Sequence, residues 1–286
     1  MNNHFAAAEL QFPITITKMS GTGNDFIIVD HRQPFIPLDM QAGFAKRLCR
    51  RKYSIGADGL ILIENSTDMD FQWQFYNADG SVAEMCGNGA RCAARYAYTH
   101  KIAPAQMRFK TIAGTIEAEM TADDMVRLKM TPPERISLAE VVVIDGLERK
   151  ISSINTGVPH VVCFVDDVKM VPLEQWGRAI RHHDLFQPAG TNVNFAQIIG
   201  PQEIHVRTYE RGVEGETLAC GTGAVAVALI AGLAGEAVSP VTITPTGGEQ
   251  LVIYFSLAAG GDELVDVFLE GPARFIYEGR LHPEAF

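Results

Sequence analysis

Cys86-Gly87-Asn88-Gly89-Ala90 and Cys220-Gly221-Thr222-Gly223-Ala224 are two versions of one five-residue block, 134 positions apart in a chain of 286 residues. The same spacing aligns three further landmarks. Gly23-Asn24-Asp25-Phe26, ahead of Ile27-Ile28-Val29, falls on Gly157-Val158-Pro159-His160 ahead of Val161-Val162-Cys163. Gly56-Ala57-Asp58 falls on Gly190-Thr191-Asn192, and Met107-Arg108-Phe109 falls on Val241-Thr242-Ile243. A constant offset carried through four landmarks reads as a tandem duplication.

Within each copy, short β-rich runs alternate with Gly/Asn/Asp turns: Ile14 to Thr17, Phe26 to Val29, Leu60 to Ile63, Phe71 to Tyr76 and Met107 to Thr111. After the cysteine block the pattern becomes helical. Ala90, Ala93, Ala94 and Ala97 share one face, with Arg91 and Arg95 four apart on another. In the second copy Ala224 to Ala234 is apolar all round, so that helix must be enclosed on every side. The expected fold is therefore α/β in the α+β sense: two pseudo-symmetric domains, each a set of strands wrapped around a central buried helix, with the active site in the cleft between them. Thr131-Pro132-Pro133 breaks any element and marks a hinge. The boundaries follow: residues 1–130, joined by a returning segment 273–286, and residues 131–272.

Twenty-four basic and 34 acidic residues give a net charge of −10, and no basic patch offers itself to a phosphate backbone. The expected partner is a small molecule, not nucleic acid or a membrane. Met1-Asn2-Asn3-His4 has none of the character of a secretory leader. The uncharged stretch Thr217 to Gly235 has an apolar part about half of the ~20 residues a bilayer span needs. These features point to the cytoplasm, where thiols stay reduced. Cys49, Cys92 and Cys163 read as buried small hydrophobes. The spacing of Cys86 and Cys92 does not suit a zinc knuckle. Gly21-Thr22-Gly23 lacks the third glycine of a dinucleotide loop.

A cysteine where a turn becomes a helix has two chemical capacities. The first-turn N–H groups have no intrahelical partners, so they bind a carboxylate or phosphate. The same end stabilises a thiolate. Two such ends holding one carboxylate would set a sulfur on each face of its α-carbon. Inversion by proton transfer needs that: a base on one face, an acid on the other, and donors for the enolate-like charge. No metal and no cofactor are required. Asn77 and Arg211 are candidates to hold polar substrate groups, and Glu210 either holds an ammonium or pairs with Arg211 at an exposed turn. His160 is either a structural residue at a strand start or a base beside a thiol. On chemistry alone, a redox switch made of Cys86 and Cys220 is a rival reading.

Three stretches carry a family resemblance. They are Lys18-Met19-Ser20-Gly21-Thr22-Gly23-Asn24-Asp25-Phe26, Asn77-Ala78-Asp79-Gly80-Ser81 running to Cys86-Gly87-Asn88-Gly89-Ala90-Arg91-Cys92, and Tyr209-Glu210-Arg211-Gly212 running to Cys220-Gly221-Thr222-Gly223. Together they resemble the diaminopimelate epimerases over nearly the whole chain. The resemblance implies a cofactor-independent isomerase that interconverts LL- and meso-2,6-diaminopimelate on the route to lysine and peptidoglycan, acting as a homodimer. It implies Cys86 and Cys220 as the acid/base pair, tuned by His160 and Glu210. It further implies that Gly87, Asn88, Gly221 and Thr222 serve the reacting carboxylate, while Asn24, Asn77, Asn192, Glu210 and Arg211 hold the amino groups and the distal carboxylate. The chain departs from the family pattern at Val158, at Gly59 and in an apparent insertion at Glu214. A racemase of another α-amino acid is the alternative within the same chemistry.

Overall fold

The computed structural model describes residues 10–144, 146–258 and 264–286. The opening Met1-Asn2-Asn3-His4 lies outside them. The chain divides into two units, the first containing residues 10–128 and Pro272–Phe286, the second Lys129–Gly271. The division falls just ahead of Thr131-Pro132-Pro133.

The first unit contains β1 (Ile14–Gly21), β2 (Asn24–Asp30), α1 (Leu38–Leu48), β3 (Gly59–Glu64), β4 (Phe71–Asn77), α2 (Gly87–Thr99), β5 (Gln106–Thr111), β6 (Gly114–Met120) and β7 (Met125–Lys129). β2 runs parallel to β3, β4 parallel to β5, and every other neighbouring pair is antiparallel. The second unit contains β8 (Glu134–Ile144), β9 (Leu147–Asn155), β10 (Pro159–Phe164), α3 (Leu173–Arg181), β11 (Asn192–Gly200), β12 (Glu203–Glu210), β13 (Gly215–Thr217), α4 (Gly221–Leu233), β14 (Val241–Pro245), β15 (Leu251–Leu257) and β16 (Leu264–Pro272). The parallel pairs recur at the equivalent places, β10 with β11 and β12 with β14.

The last strand, β17 (Arg274–Leu281), belongs to the first unit and pairs antiparallel with β1. β8 pairs antiparallel with β9 in the same way. The first unit therefore reads β17-β1-β2-β3-β4-β5-β6-β7, and the second reads β8-β9-β10-β11-β12-β14-β15-β16. The two pairing orders are the same. One unit takes its first strand from the far end of the chain.

β2, β3, β10 and β11 are buried over consecutive residues because both of their faces are covered. In the first unit Ile27, Val29, Leu60 and Leu62 form a core with Met40, Phe44 and Leu48 of α1. Phe26 and Ile61, one step out of phase, approach α2 at Gly89. In the second, Val161, Cys163, Val193 and Phe195 form a core with Leu173 and Ile180 of α3. Val162, Ala196, Ile204 and Val206 pack instead with α4. The central helices thus have the enclosure their sequences demand, and α4 is buried from Gly223 to Gly232. The outer helices α1 and α3 are additional to the strands-around-one-helix plan. Among the described residues no helix is long and apolar enough to cross a membrane.

Candidate active site

Both central helices begin immediately after their cysteine. Cys86 stands before α2 with φ −146° and ψ 121°, and Cys220 before α4 with φ −126° and ψ 110°, so each is an extended residue turning into a helix. Their carbonyls accept the first helical bonds, from Ala90 N at 2.8 Å and from Ala224 N at 2.9 Å. Neither cysteine side chain caps its helix, and both residues are half-buried. This leaves the first-turn N–H groups for a ligand and keeps the sulfurs reachable. At Gly87 a Cβ would meet no described atom within 4 Å, so the approach to the start of α2 is open. The remaining cysteines are buried, and burial pushes the Cys49 and Cys163 thiols up to about 12. Neither is a nucleophile or base near neutrality.

In the first unit Asn88, in the first turn of α2, is held from two sides. Its Nδ2 donates to Asn24 Oδ1 at 2.7 Å, and its Oδ1 accepts from Arg91 Nη2 at 2.9 Å. Asn24 in turn donates to Asp58 Oδ2 at 3.0 Å. Asp58 and Asp25 are bound by Arg51 at 2.9 and 2.5 Å, and Lys18 reaches Asp25 at 2.7 Å. Burial opposes ionisation of Asp25, but Arg51 and Lys18 outweigh it and bring its carboxyl down to about 2. An ionised cluster thus fixes Asn24, and Asn24 fixes Asn88. Asn77 is exposed at the end of β4, opposite Gly59 of β3, and its Nδ2 donates to Ser81 Oγ at 3.0 Å.

Arg91 is fully buried, an outcome its charge does not announce. Its guanidinium donates to Thr22 Oγ1 at 2.8 Å, to Asn88 Oδ1 at 2.9 Å and, through Nε, to the Pro272 carbonyl at 3.3 Å. It ties the start of α2 to the β1–β2 turn and to the returning chain.

In the second unit Asn192 and Arg211 are joined through the backbone. Asn192 Oδ1 accepts from Arg211 N at 2.9 Å, and its Nδ2 donates to the Pro159 carbonyl at 3.1 Å. The Arg211 guanidinium reaches the Ala189 carbonyl at 3.2 Å. Glu210 ends β12 half-buried, and that burial raises its carboxyl pKa. Glu214 has φ 58°, the left-handed conformation of a tight turn, and its carboxylate takes Arg181 Nη2 at 3.1 Å. The apparent insertion is thus anchored to α3.

His160 is 1% exposed. Its Nε2 lies 2.9 Å from Thr222 Oγ1, and its Nδ1 lies 3.2 Å from Asn194 Nδ2. Thr222 Oγ1 is in turn 3.5 Å from Cys220 Sγ. Burial, reinforced by the charge of Arg211, lowers the His160 pKa to about 3. Asn194 was not among the residues singled out from sequence. It sits in the apolar run Val193 to Ala196, where the alternation conceals a polar side chain turned toward α4.

Among the described residues no group of His, Cys, Asp and Glu is placed to hold a metal ion.

Two solved structures share this architecture. One is a Bacillus anthracis phenazine biosynthesis protein of the PhzF family, with a TM-score of 0.74 at 13% identity, covering 95% of this chain and all of that one. The other is a probable proline racemase from Agrobacterium radiobacter, with a TM-score of 0.66 at 15% identity, covering 94% and 93%. At such identities the likeness is one of fold, and it puts the chain in the α+β structural class of these two proteins. The family follows from sequence. The diaminopimelate epimerase family model matches residues 16–136 and 152–275. The diaminopimelate epimerase of Aquifex aeolicus is 46% identical over 93% of this chain and 97% of its own length, and that of Chlorobaculum tepidum is 41% identical over 92% and 99%. The chain belongs to the diaminopimelate epimerase family.

Proposed function

We propose that the protein interconverts LL- and meso-2,6-diaminopimelate by transferring a proton at one α-carbon between two cysteines, Cys86 and Cys220. One sulfur removes the proton as a thiolate, and the other, as a thiol, supplies one to the opposite face. The roles exchange in the reverse direction. The observation that carries this reading is the paired helix start: in each unit a half-buried, extended cysteine leads into a glycine-rich first turn whose side-chain cap is missing. Donors from Gly87, Asn88, Gly221 and Thr222 would take the reacting carboxylate and the charge that develops on it. Asn24, Asn77, Asn192, Glu210 and Arg211 would hold the amino groups and the distal carboxylate. Glu210 and His160 set the polarity around the thiols. No metal or organic cofactor enters the scheme.

The reading places the reaction in lysine and peptidoglycan precursor synthesis, in the cytoplasm, with a homodimer as the working form. Sedimentation of the purified protein at micromolar concentration tests the last point. The reaction itself is tested by incubating reduced enzyme with LL-diaminopimelate in heavy water. The expected result is deuterium at Cα and formation of the meso isomer. Absence of exchange with diaminopimelate, together with exchange at another α-amino acid, would transfer the assignment to a racemase of that amino acid. Activity confined to the oxidised protein would favour the redox-switch reading.

A further inference from the structure

The duplication is not chemically even. β10 and β11 correspond to β2 and β3: Val162 pairs with Asn194 where Ile28 pairs with Ile61. By the same correspondence His160 stands where the first unit has Phe26, and Thr222 stands where it has Asn88. Beneath Gly89 the first unit presents Ile61 Cδ1 and Phe26 Cε1, at 3.3 and 3.5 Å from a built Cβ. Beneath Gly223 the second unit presents Asn194 Oδ1, which a Cβ would overlap, and Cys220 Sγ at 3.3 Å. An apolar floor in one copy is a polar one in the other.

The polarity of that floor fixes the direction of its hydrogen bonds. The Val161 carbonyl can only accept, which assigns the Asn194 atom facing it as Nδ2, and Asn194 Oδ1 accepts from Thr208 Oγ1 at 3.0 Å. Its Nδ2 donates to the Val161 carbonyl at 2.9 Å and turns its second hydrogen to His160 Nδ1 at 3.2 Å. Nδ1 is therefore an acceptor, and the ring proton sits on Nε2, which donates to Thr222 Oγ1. With its oxygen accepting from the imidazole, the Thr222 hydroxyl has its own proton to give to Cys220 Sγ. The Thr222 main chain is held as well, since its carbonyl accepts from Thr156 Oγ1 at 3.0 Å.

Resting on the two-cysteine reading above, we infer that Thr222 is a positioning residue that hands the donor power of a neutral His160 to the Cys220 sulfur, with Asn194 fixing the tautomer that makes this possible. No proton travels along the chain. When Cys220 gives its S–H proton to the substrate carbanion, the negative charge moves from carbon to sulfur. The Thr222 O–H bond to that sulfur strengthens as the charge arrives. In the opposite direction the thiolate takes the proton from Cα and the bond relaxes. His160 acts in this arrangement as a donor, because its Nδ1 lone pair is occupied and its Nε2 is protonated.

Charged groups also stand on the elements packed around α4. β12 ends in Glu210, followed by Arg211, whose charge reaches His160. β11 and β14 carry no charged side chain, β15 has Tyr254, and on β9 the charged residues are Glu148, Arg149 and Lys150.

The test is the pH dependence of Cys220 alkylation by iodoacetamide in the full-length reduced protein, read on the Cys220 peptide by mass spectrometry. Thr222→Val keeps the shape and removes the hydroxyl. It should raise the alkylation midpoint of Cys220 by about one pH unit, a tenfold fall in thiolate fraction below the midpoint, and leave that of Cys86 in place. Thr222→Ser should restore the parent value. In the unmodified protein, 15N spectra of labelled histidine should show His160 as the neutral Nε2–H tautomer from pH 8 to pH 5. An unchanged Cys220 midpoint in Thr222→Val, or an Nδ1–H or doubly protonated His160 at pH 7, would overturn the inference. These readouts need no substrate, so failure of the protein to epimerise diaminopimelate would be seen separately.

Discussion

Phe26 and His160 occupy the same place in the two units, each 1% exposed and each on the strand that starts a parallel pair, opposite Gly59 and Asn192 respectively. A duplication that preserved the backbone has thus put a hydrocarbon ring under one central helix and an imidazole under the other. The two cysteines share a helix-start geometry while standing on different ground.

If each cysteine serves one face of the substrate, neither can replace the other. Cys86→Ala and Cys220→Ala should each lower epimerisation by about a thousandfold, within the range expected for loss of a positioned acid or base. Thermal melting should stay near the parent, because both side chains are half-buried and cap nothing. Elimination of HX from a β-halogenated substrate analogue needs a single base and should persist in one of the two variants. Retention of substantial epimerisation by either variant would break the scheme.

Burial keeps His160 neutral, with a pKa of about 3 against an ordinary value of 6.5. Between those values the unfolded chain binds a proton that the folded one refuses. The stability this residue confers is therefore complete above pH 6.5 and is lost as the pH falls toward 3. Urea midpoints taken at pH 7.5 and pH 5 should fall on acidification. His160→Gln should flatten that fall, and an equal slope in parent and variant would contradict the assignment.

Glu210 is shifted the other way. Its raised carboxyl pKa means that the folded state holds the proton longer, so its contribution to stability declines as the pH rises beyond the ordinary carboxylate range. Glu210→Gln should equal or exceed the parent in stability at pH 8 while losing at least about tenfold in turnover. Denaturant melts and the heavy-water exchange assay on one preparation separate the two effects. A destabilised but fully active variant would assign Glu210 to structure alone.

The glycines in the two helix starts differ in what they protect. A methyl at Gly223 overlaps Asn194 Oδ1 and crowds Cys220 Sγ at 3.3 Å, whereas at Gly89 it meets the ends of Ile61 and Phe26 at 3.3 and 3.5 Å. Gly223→Ala should cost about 1–3 kcal/mol and most of the activity, and Gly89→Ala less of both. Comparable losses at the two sites would mean that the polar floor has no special demand on space.

The duplicated plan was legible because glycines, cysteines and asparagines at turns are local signatures, readable without knowing what packs against them. The helices α1 and α3 were not, since each joins its strand layer through a few apolar residues, Phe44 and Leu48 in one and Leu173 and Ile180 in the other, scattered among charges. The buried Arg91 was beyond sequence reading for a different reason. Two of its acceptors, Thr22 and Pro272, lie 69 and 181 residues away. Asn194 meets its partner on β10 across 34 residues, and nothing in its own strand marks it as polar-facing.

The outermost strand of the first unit, β17, is synthesised after the entire second unit. A ribosome therefore releases residues of Lys129–Gly271 able to complete their own sheet while β1 still shows a bare edge. Unpaired edges recruit other strands. For the interval of translation between β7 and β17, the nascent amino-terminal portion is exposed to mispairing and to chaperone capture, although it was the earliest to emerge.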